Sequence, residues 1–200
     1  MKSKNKITNN IISVLVAVFV AILIRSFLFE PFNIPSGSMK PNLLVGDFIF
    51  VSKYSYGYSR HSFPLSLADR NGKLFTGKYF SKTPKRGDIV VFKTPQNNRT
   101  DYIKRVIGIP GDKIKIVNGQ IVINGSKISR KKIEPFIDTQ INEKLIENGR
   151  RRQYKEYFFN KEINVLDLQD FSFADNTPEY KVPENKFFVM GDNRDNSQDS

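Results

Sequence analysis

The sequence predicts a mainly β protein with antiparallel sheets, preceded by a single N-terminal membrane helix. Two observations predict this class: one long apolar run near the N-terminus, and short alternating segments bounded by turn dipeptides after it. The length of 200 residues suits one or two small domains. The absence of Cys excludes disulfides, thiolate zinc sites and Cys nucleophiles.

The apolar run extends from Ile11 to Phe29, nineteen residues, and a membrane-spanning helix needs roughly 20. Arg25 lies near its far end, where its side chain can reach lipid headgroups, and Pro31 ends the helix. Three lysines and no acid precede the run, which predicts a cytoplasmic N-terminus and the remaining chain on the opposite side. We predict a cytoplasmic segment 1–10, a single-pass anchor 11–29 and an extracytoplasmic domain 30–200.

Two other interpretations of the run remain open. A cleaved signal peptide would need small residues at its cut site, but Ser26–Phe29 is bulky. A buried helix of a soluble protein is disfavoured because this helix would be apolar on every face. The pattern favours an uncleaved signal anchor.

The strand signals are short β-rich runs that follow turn dipeptides. Asn118-Gly119 is a strong two-residue hairpin signal between two alternating segments, and Asn124-Gly125 ends the second of them. A charged stretch, 128–183, is interpreted as an inserted subdomain, and Tyr54–Thr83 as a long excursion. The predicted strands are Phe48–Val51, Ile89–Phe92, Lys113–Val117, Gln120–Ile123 and, inside the insert, Tyr154–Phe159.

A candidate nucleophile lies directly after the apolar run. Ser36-Gly37-Ser38 stands between two prolines that limit the freedom of the loop, although such a sequence is also common in ordinary turns. A Ser nucleophile needs a base. The one histidine, His61, lies in a Ser-rich aromatic stretch typical of a surface. With one His and no Cys, a metal site is disfavoured, and we predict neither a metal nor a cofactor.

Lys104 is the candidate base, because burial of a lysine disfavours its ammonium form. It lies in the strand-like run Asp101–Gly108, where alternation places Tyr102 and Val106 on its face. Either Lys104 or its neighbour Arg105 must therefore share a face with apolar residues. The alternative is a lysine that extends into solvent from a sheet edge.

The segment Met190–Ser200 is dense in polar residues. Its Asp spacing superficially resembles a calcium loop, but it lacks the central Gly and terminal Glu of an EF-hand. A buried hydrogen-bond network is the other use of such a segment.

Taken in order, these segments resemble four sequence boxes of bacterial type I signal peptidases. The resemblance covers the anchor through residue 112 and resumes near residue 186. It implies the β fold shared by signal peptidases and repressor-type proteases. The matching segments are Pro35–Pro41, Val45–Ile49 with Lys53-Tyr54, Lys85–Phe92 with Asp101–Asp112, and Gly191–Ser200.

The resemblance implies a membrane-bound serine endopeptidase of the bacterial inner membrane. It would remove N-terminal signal peptides from exported preproteins through an acyl-enzyme, preferring Ala-x-Ala before the cut, with its catalytic domain on the periplasmic or extracytoplasmic side. Ser38 would be the nucleophile, Lys104 the base, and Ser36 with the Ser38 amide the oxyanion hole. Ser197 would orient Lys104, Asp199 would support the site, and Arg105 would be structural. The implied substrate pockets are Phe32, Ile34, Pro35, Met39, Leu43, Val91 and Ile103.

Two features depart from the family pattern. The chain stops inside the last box, which in the family continues with an Arg, as a fragment or a shortened member would. Many relatives also carry two membrane helices, whereas this chain has one convincing span.

Two further hypotheses remain open, and the net charge of +12 motivates the first of them. A basic β protein without enzymatic activity would bind anionic lipid or nucleic acid, as Arg150–Arg152 suggests, although a solvated basic surface explains these arginines too. Another Ser/Lys hydrolase, such as a self-cleaving repressor, would lack this anchor. The predicted partners are signal peptides and membrane lipid, and not nucleic acid.

Overall fold

The computed structural model describes residues 2–58, 81–94, 100–139, 150–168 and 175–197, with side chains described from residue 6 onward. His61, Asp199 and most of the predicted Tyr54–Thr83 excursion lie outside these residues. The chain divides into two compact units. The first comprises Met1–Phe32 and Phe48–Thr83, and the second comprises Asn33–Asp47 and Pro84–Ser200.

The first unit contains the N-terminal helix α1, Lys2–Phe27. Its segment Lys6–Phe27 is long and apolar enough to cross a membrane, and its side chains are exposed apart from that of Ser26. The helix ends two residues before the predicted Phe29, because Phe29 begins strand β1 (Phe29–Asn33), which pairs with β2 (Phe48–Ser52). Pro31 lacks the backbone N–H that a helix requires and favours an extended residue before it, which accounts for the earlier end.

The second unit is built from antiparallel sheets, which confirms the predicted mainly β class. Its strands are β3 (Ile89–Lys93), β4 (Asp101–Gly108), β5 (Lys113–Val117), β6 (Gln120–Ile123), β7 (Ser126–Lys127), β8 (Arg130–Lys132), β9 (Phe136–Ile137), β10 (Arg150–Arg151), β11 (Gln153–Phe158), β12 (Lys161–Leu166), β13 (Tyr180–Lys181) and β14 (Phe188–Met190). They form sheets with the strand orders β14-β4-β3, β13-β5-β6-β7, β12-β11-β8 and β10-β9.

The β5–β6 hairpin forms where Asn118-Gly119 predicted it. Both turn residues have positive φ, 49° and 70°, which suits a tight hairpin turn. The register places Ile114 opposite Ile123 and Ile116 opposite Ile121, so that the isoleucines of the hairpin enter the core together.

The hydrophobic core of this unit includes residues from the predicted insert. Strands β11 and β12 contribute Phe158, Ile163 and Val165 to the same cluster as Ile107 of β4. The strand predicted over Tyr154–Phe159 ends at Phe158, because Phe159 takes a left-handed φ of 53° in the turn. The described parts of 128–183 therefore pack with the other strands of this unit.

Candidate active site

Ser38 lies in a single 3-10 turn, Gly37–Met39, which we call the Ser38 turn. The preceding Ser36 is extended, with φ −133° and ψ 155°. Ser38 and Met39 are buried, and the Ser36 and Ser38 hydroxyl oxygens lie 3.4 Å apart. The two serines of the predicted loop therefore present their hydroxyls to the same small volume.

The polar C-terminal segment forms hydrogen bonds to the backbone of the Ser38 turn. The Asn193 amide N–H donates to the Ser38 carbonyl at 3.0 Å, and its side-chain nitrogen donates to the Gly37 carbonyl, also at 3.0 Å. Asn193 is itself 4% exposed and forms a parallel bridge with Leu166. Such bonds limit the movement of the turn that carries the candidate nucleophile.

Lys104 extends from β4 and is 4% exposed. Its ammonium nitrogen lies 2.5 Å from the Ser197 hydroxyl and 5.6 Å from the centre of the Tyr102 ring, on the face that alternation predicted. Arg105 on the opposite face is buried too, as are Val106 and Ile107. Lys104 and Arg105 are thus both buried beside apolar residues, although the sequence required this of only one of them.

Gly191 lies between Ser197 and the Ser38 turn. A Cβ at this position would stand 2.5 Å from the Ser38 carbonyl oxygen and 2.7 Å from the Ser197 Cβ, and closer still to the Ser197 hydroxyl. Only a residue without a side chain permits this approach. The hydrogen-bond partner of Lys104 and the Ser38 backbone are therefore immediate neighbours across Gly191.

A buried ionic network lies behind these groups. The Arg105 guanidinium donates two hydrogen bonds to the Asp192 carboxylate, both at 2.7 Å, and one to the Gly87 carbonyl at 2.8 Å. Asn42 donates to the same carboxylate at 2.7 Å. Asp192 is fully buried, and nothing in the sequence distinguished it from its polar neighbours. The signal available was the polar density of the last box, for which a buried network was one of the two interpretations.

A family model described as signal peptidase, peptidase S26, matches residues 7–200. The chain belongs to this signal peptidase family. Signal peptidase I of Rickettsia canadensis is 43% identical over 188 residues, covering 92% of this chain and 68% of the relative. Signal peptidase I of Rickettsia typhi is 39% identical over 204 residues, covering 100% and 74%. A solved signal peptidase I from Enterococcus faecalis is 27% identical, covers 60% of this chain and 85% of its own, and has a TM-score of 0.33.

Membership of the signal peptidase family confirms the expected resemblance and the expected class of enzyme, a serine endopeptidase. At this level it also supports the removal of signal peptides from preproteins.

The predicted substrate-pocket residues fall into both units. Val91 and Ile103 are directly opposite each other on β3 and β4, and each is half-buried. Ile34 and Met39 are buried, with 2% and 0% of their surface exposed. The others are the half-buried Leu43, the exposed Pro35 and, in the first unit, the half-buried Phe32.

Three carboxylates form a cluster that includes Asp195 of the polar C-terminal segment. Oxygens of Asp167, Asp175 and Asp195 lie within 4.8 Å of one another. Arg130 donates to Asp167 at 2.8 Å and supplies positive charge there. Burial raises the pKa of Asp167 above 3.8, Arg130 opposes this, and the Asp195 charge adds to it. Among the residues that the structure describes, this cluster has a spacing that could hold a cation, but it already has an arginine as counter-ion.

Proposed function

We propose that this chain is a membrane-anchored serine endopeptidase that removes signal peptides by means of a Ser38/Lys104 dyad. The observation that carries the proposal is the contact of buried Lys104 with Ser197, beside the Ser38 turn. Nucleophilic catalysis without histidine needs a lysine kept out of water near a serine, and here Ser197 and Gly191 lie between buried Lys104 and the Ser38 turn.

Acylation of Ser38 is the first chemical step. Burial disfavours the ammonium form of Lys104, and the neutral amine can take the Ser38 hydroxyl proton. The Ser38 oxygen attacks the scissile carbonyl, the C–N bond breaks, and the protonated lysine gives its proton to the leaving amine. The signal peptide is then held as an ester on Ser38.

Deacylation uses the same base. Lys104, neutral again, takes a proton from water, which attacks the ester carbonyl. The C–O bond to Ser38 breaks, and the proton returns to the serine oxygen. The Ser197 hydroxyl, at 2.5 Å, holds the Lys104 amine in place through both steps.

The oxyanion formed in each step needs hydrogen-bond donors. The Ser36 hydroxyl, 3.4 Å from the Ser38 hydroxyl, and the Ser38 backbone N–H are the proposed donors. Each such donor lowers the barrier by roughly 3–4 kcal/mol. Arg105 acts structurally through its ion pair with Asp192, and Asp199 is proposed as a supporting residue on the resemblance alone.

The preference for small residues is proposed to come from the apolar residues that the resemblance assigns to the substrate pockets. Ile34, Met39 and the cross-strand pair Val91–Ile103 supply branched or long apolar side chains in the same unit as Ser38. Shallow pockets of this kind accept Ala at the first and third positions before the cut and exclude larger side chains. Pro35 and Leu43 of the same unit are proposed to complete the lining, and Phe32 is proposed as a pocket residue on the resemblance alone.

The membrane arrangement follows from the N-terminal helix. The segment Lys6–Phe27 spans a bacterial inner membrane with its lysine-rich end in the cytoplasm, and the catalytic domain lies on the periplasmic or extracytoplasmic side. Ser38 follows the last helical residue, Phe27, by eleven positions. A nucleophile this close in the chain to the span suits a substrate whose cleavage site emerges at the bilayer surface.

Cleavage of a preprotein with an Ala-x-Ala site by the full chain in detergent tests the proposal. Ser38→Ala and Lys104→Met are expected to reduce cleavage to background while the melting temperature stays within a few degrees. Ser126→Ala and Lys127→Met, on the exposed strand β7, are matched controls that keep full activity. Cleavage by either dyad variant at the rate of the unmodified chain would refute the mechanism.

A further inference from the structure

A second lysine lies close to Ser38, and its chemistry differs from that of Lys104. Lys40 follows the Ser38 turn directly and is 5% exposed. Its ammonium nitrogen lies 2.8 and 2.9 Å from the two Asp138 carboxylate oxygens. With Asp138 6% exposed, this is a buried ion pair that joins residues 98 positions apart.

The Lys40 side chain runs back along the Ser38 turn. A Cβ placed on Gly37 would meet the Lys40 Cδ and Cε atoms at 3.5 Å, so the lysine stem lies against the residue that precedes Ser38. The Lys40 amide also donates to the Gly37 carbonyl at 3.2 Å. Displacement of the Lys40 ammonium group would therefore shift the backbone of the Ser38 turn.

Asp138 belongs to the insert, to which the sequence assigned no role. It follows β9 directly, and β9 is held by antiparallel pairing with β10. In the part of the chain that the structure describes, the C-terminal segment and the insert each hold the Ser38 turn. Asn193 binds its carbonyl groups from the C-terminal segment, and Asp138 holds it from the insert through Lys40.

We propose that Lys40 and Asp138 are positioning residues that fix the Ser38 turn in its reactive geometry. A buried ion pair is a costly way to gain stability, because desolvation offsets most of the attraction. What it supplies here is a defined direction, since the ammonium must meet both carboxylate oxygens. Displacement of a reacting group by about 1 Å costs on the order of 100-fold in rate, so a small relaxation of the turn is enough to matter.

The inference rests on the proposed role of Ser38, and kinetics on the full chain in detergent test it. The probe is a fluorogenic peptide with an Ala-x-Ala site. Asp138→Asn is expected to lower kcat by at least tenfold, with KM changed less than about twofold, because the turn and not the substrate pocket is loosened. Asp138→Glu keeps the charge and is expected to recover at least half of the lost kcat on a logarithmic scale.

Asp112→Asn is the matched control. Asp112 is likewise buried and paired with an arginine, Arg86 at 2.6 Å, but no partner of its carboxylate lies in the Ser38 turn. It is expected to lower the melting temperature without lowering kcat. Equal loss of kcat in both variants, or unchanged kcat in Asp138→Asn, would overturn the proposal.

A double variant distinguishes an effect on the geometry of the Ser38 turn from an effect on the stability of the fold. Lys40→Met with Asp138→Leu replaces the ion pair by apolar side chains of similar size, which commonly preserves folding. It is expected to unfold at the temperature of the unmodified chain yet keep the kcat deficit, and recovery of full kcat would overturn the proposal. Ser38→Ala in the same series distinguishes the two proposals. If Ser38→Ala still cleaves the peptide, the proposed function is wrong. If Ser38→Ala is inactive and Asp138→Asn is fully active, only the positioning role of Lys40 and Asp138 is rejected.

Discussion

Gly191 shows how closely single residues of the candidate site are packed. Its α-carbon is flanked by the Ser38 carbonyl and the Ser197 side chain. Gly191→Ala is expected to lower kcat by on the order of 100-fold, because the added methyl group must displace the Ser38 turn or the partner of Lys104. Steady-state kinetics on the purified chain measure this.

The control for Gly191→Ala is Gly125→Ala. Gly125 has φ of 81°, and no atom lies within 4 Å of the place that an alanine methyl group would take, so alanine there strains only the backbone of a remote turn. Its expected effect is a loss of stability of about 1 kcal/mol with unchanged kcat. Retention of full kcat by Gly191→Ala would contradict the described packing.

The pKa of Asp112 predicts how the stability of the folded state changes at acid pH. Burial alone would raise its pKa, but hydrogen bonds from Arg86, the Ile109 amide and Asn124, with the Arg86 charge, bring the net pKa below 3.8. A carboxyl with a lowered pKa in the folded state stabilises that state above its unfolded pKa. This contribution disappears as the pH falls through the folded pKa.

The free energy of unfolding is therefore expected to differ between the unmodified chain and Asp112→Asn in a pH-dependent way. The difference is about 2 kcal/mol at neutral pH, the size of a hydrogen bond to a charged group, and it shrinks below pH 3.8. Urea unfolding at several pH values measures it. A difference that stays constant down to about pH 2 would contradict the assigned cause.

At the scale of elements, a buried ion pair is among the contacts that join the β11–β12 hairpin to the last sequence box. Glu156 of β11 is 1% exposed and accepts hydrogen bonds from Arg194 at 2.6 and 3.1 Å. Glu156→Gln is expected to lower the free energy of unfolding by about 3 kcal/mol, because it removes the negative charge from a buried ion pair. Chemical unfolding gives the value.

The same hairpin offers a matched control for Glu156. Glu162 of β12 pairs with Lys155 at 2.8 Å, but its side chain is exposed. Glu162→Gln is expected to leave the free energy of unfolding unchanged within error, because water replaces an exposed ion pair. Equal losses in the two variants would show that burial does not determine the effect.

Local elements were predictable where short-range chemistry decides them. The β5–β6 hairpin follows from Asn118-Gly119 and the flanking alternation, and β4 follows from its apolar density. The end of α1 was misplaced by two residues, because apolar character continues through Phe29 although the backbone has already become a strand. Hydrophobic pattern alone does not distinguish a helix end from a β-strand of apolar residues.

The candidate site also contains residues that the sequence could predict and one that it could not. Ser38 and Lys104 could be proposed from the sequence because boxes in a fixed order surround them. In the structure the Lys104 amine lies 2.5 Å from the Ser197 hydroxyl, and the catalytic roles of these residues stay predictions. Asp138 was not identifiable. Its partner Lys40 lies 98 residues away, and no local pattern reports which acid of a charged insert will be buried.

At the scale of the whole molecule, the apolar helix makes a prediction about membrane retention. Leu15 and Val18 lie in the middle of the span, and an arginine there costs about 3 kcal/mol each on insertion. Leu15→Arg with Val18→Arg is expected to shift the chain from the membrane pellet to the supernatant of an alkaline extraction. Tyr180→Arg on exposed β13 should stay in the pellet, and retention of the double variant would contradict a lipid-spanning helix.

Covalent labelling of Ser38 tests the central claim most directly. The full chain is treated with a serine-directed phosphonate that carries an Ala-x-Ala peptide, and the modified residue is located by peptide mass spectrometry. We expect a single adduct on Ser38 that forms in the unmodified chain and is at least 100-fold slower to form in Lys104→Met, since the base is missing. An adduct on another residue, or labelling of Ser38 at an unchanged rate in Lys104→Met, would contradict the proposed dyad.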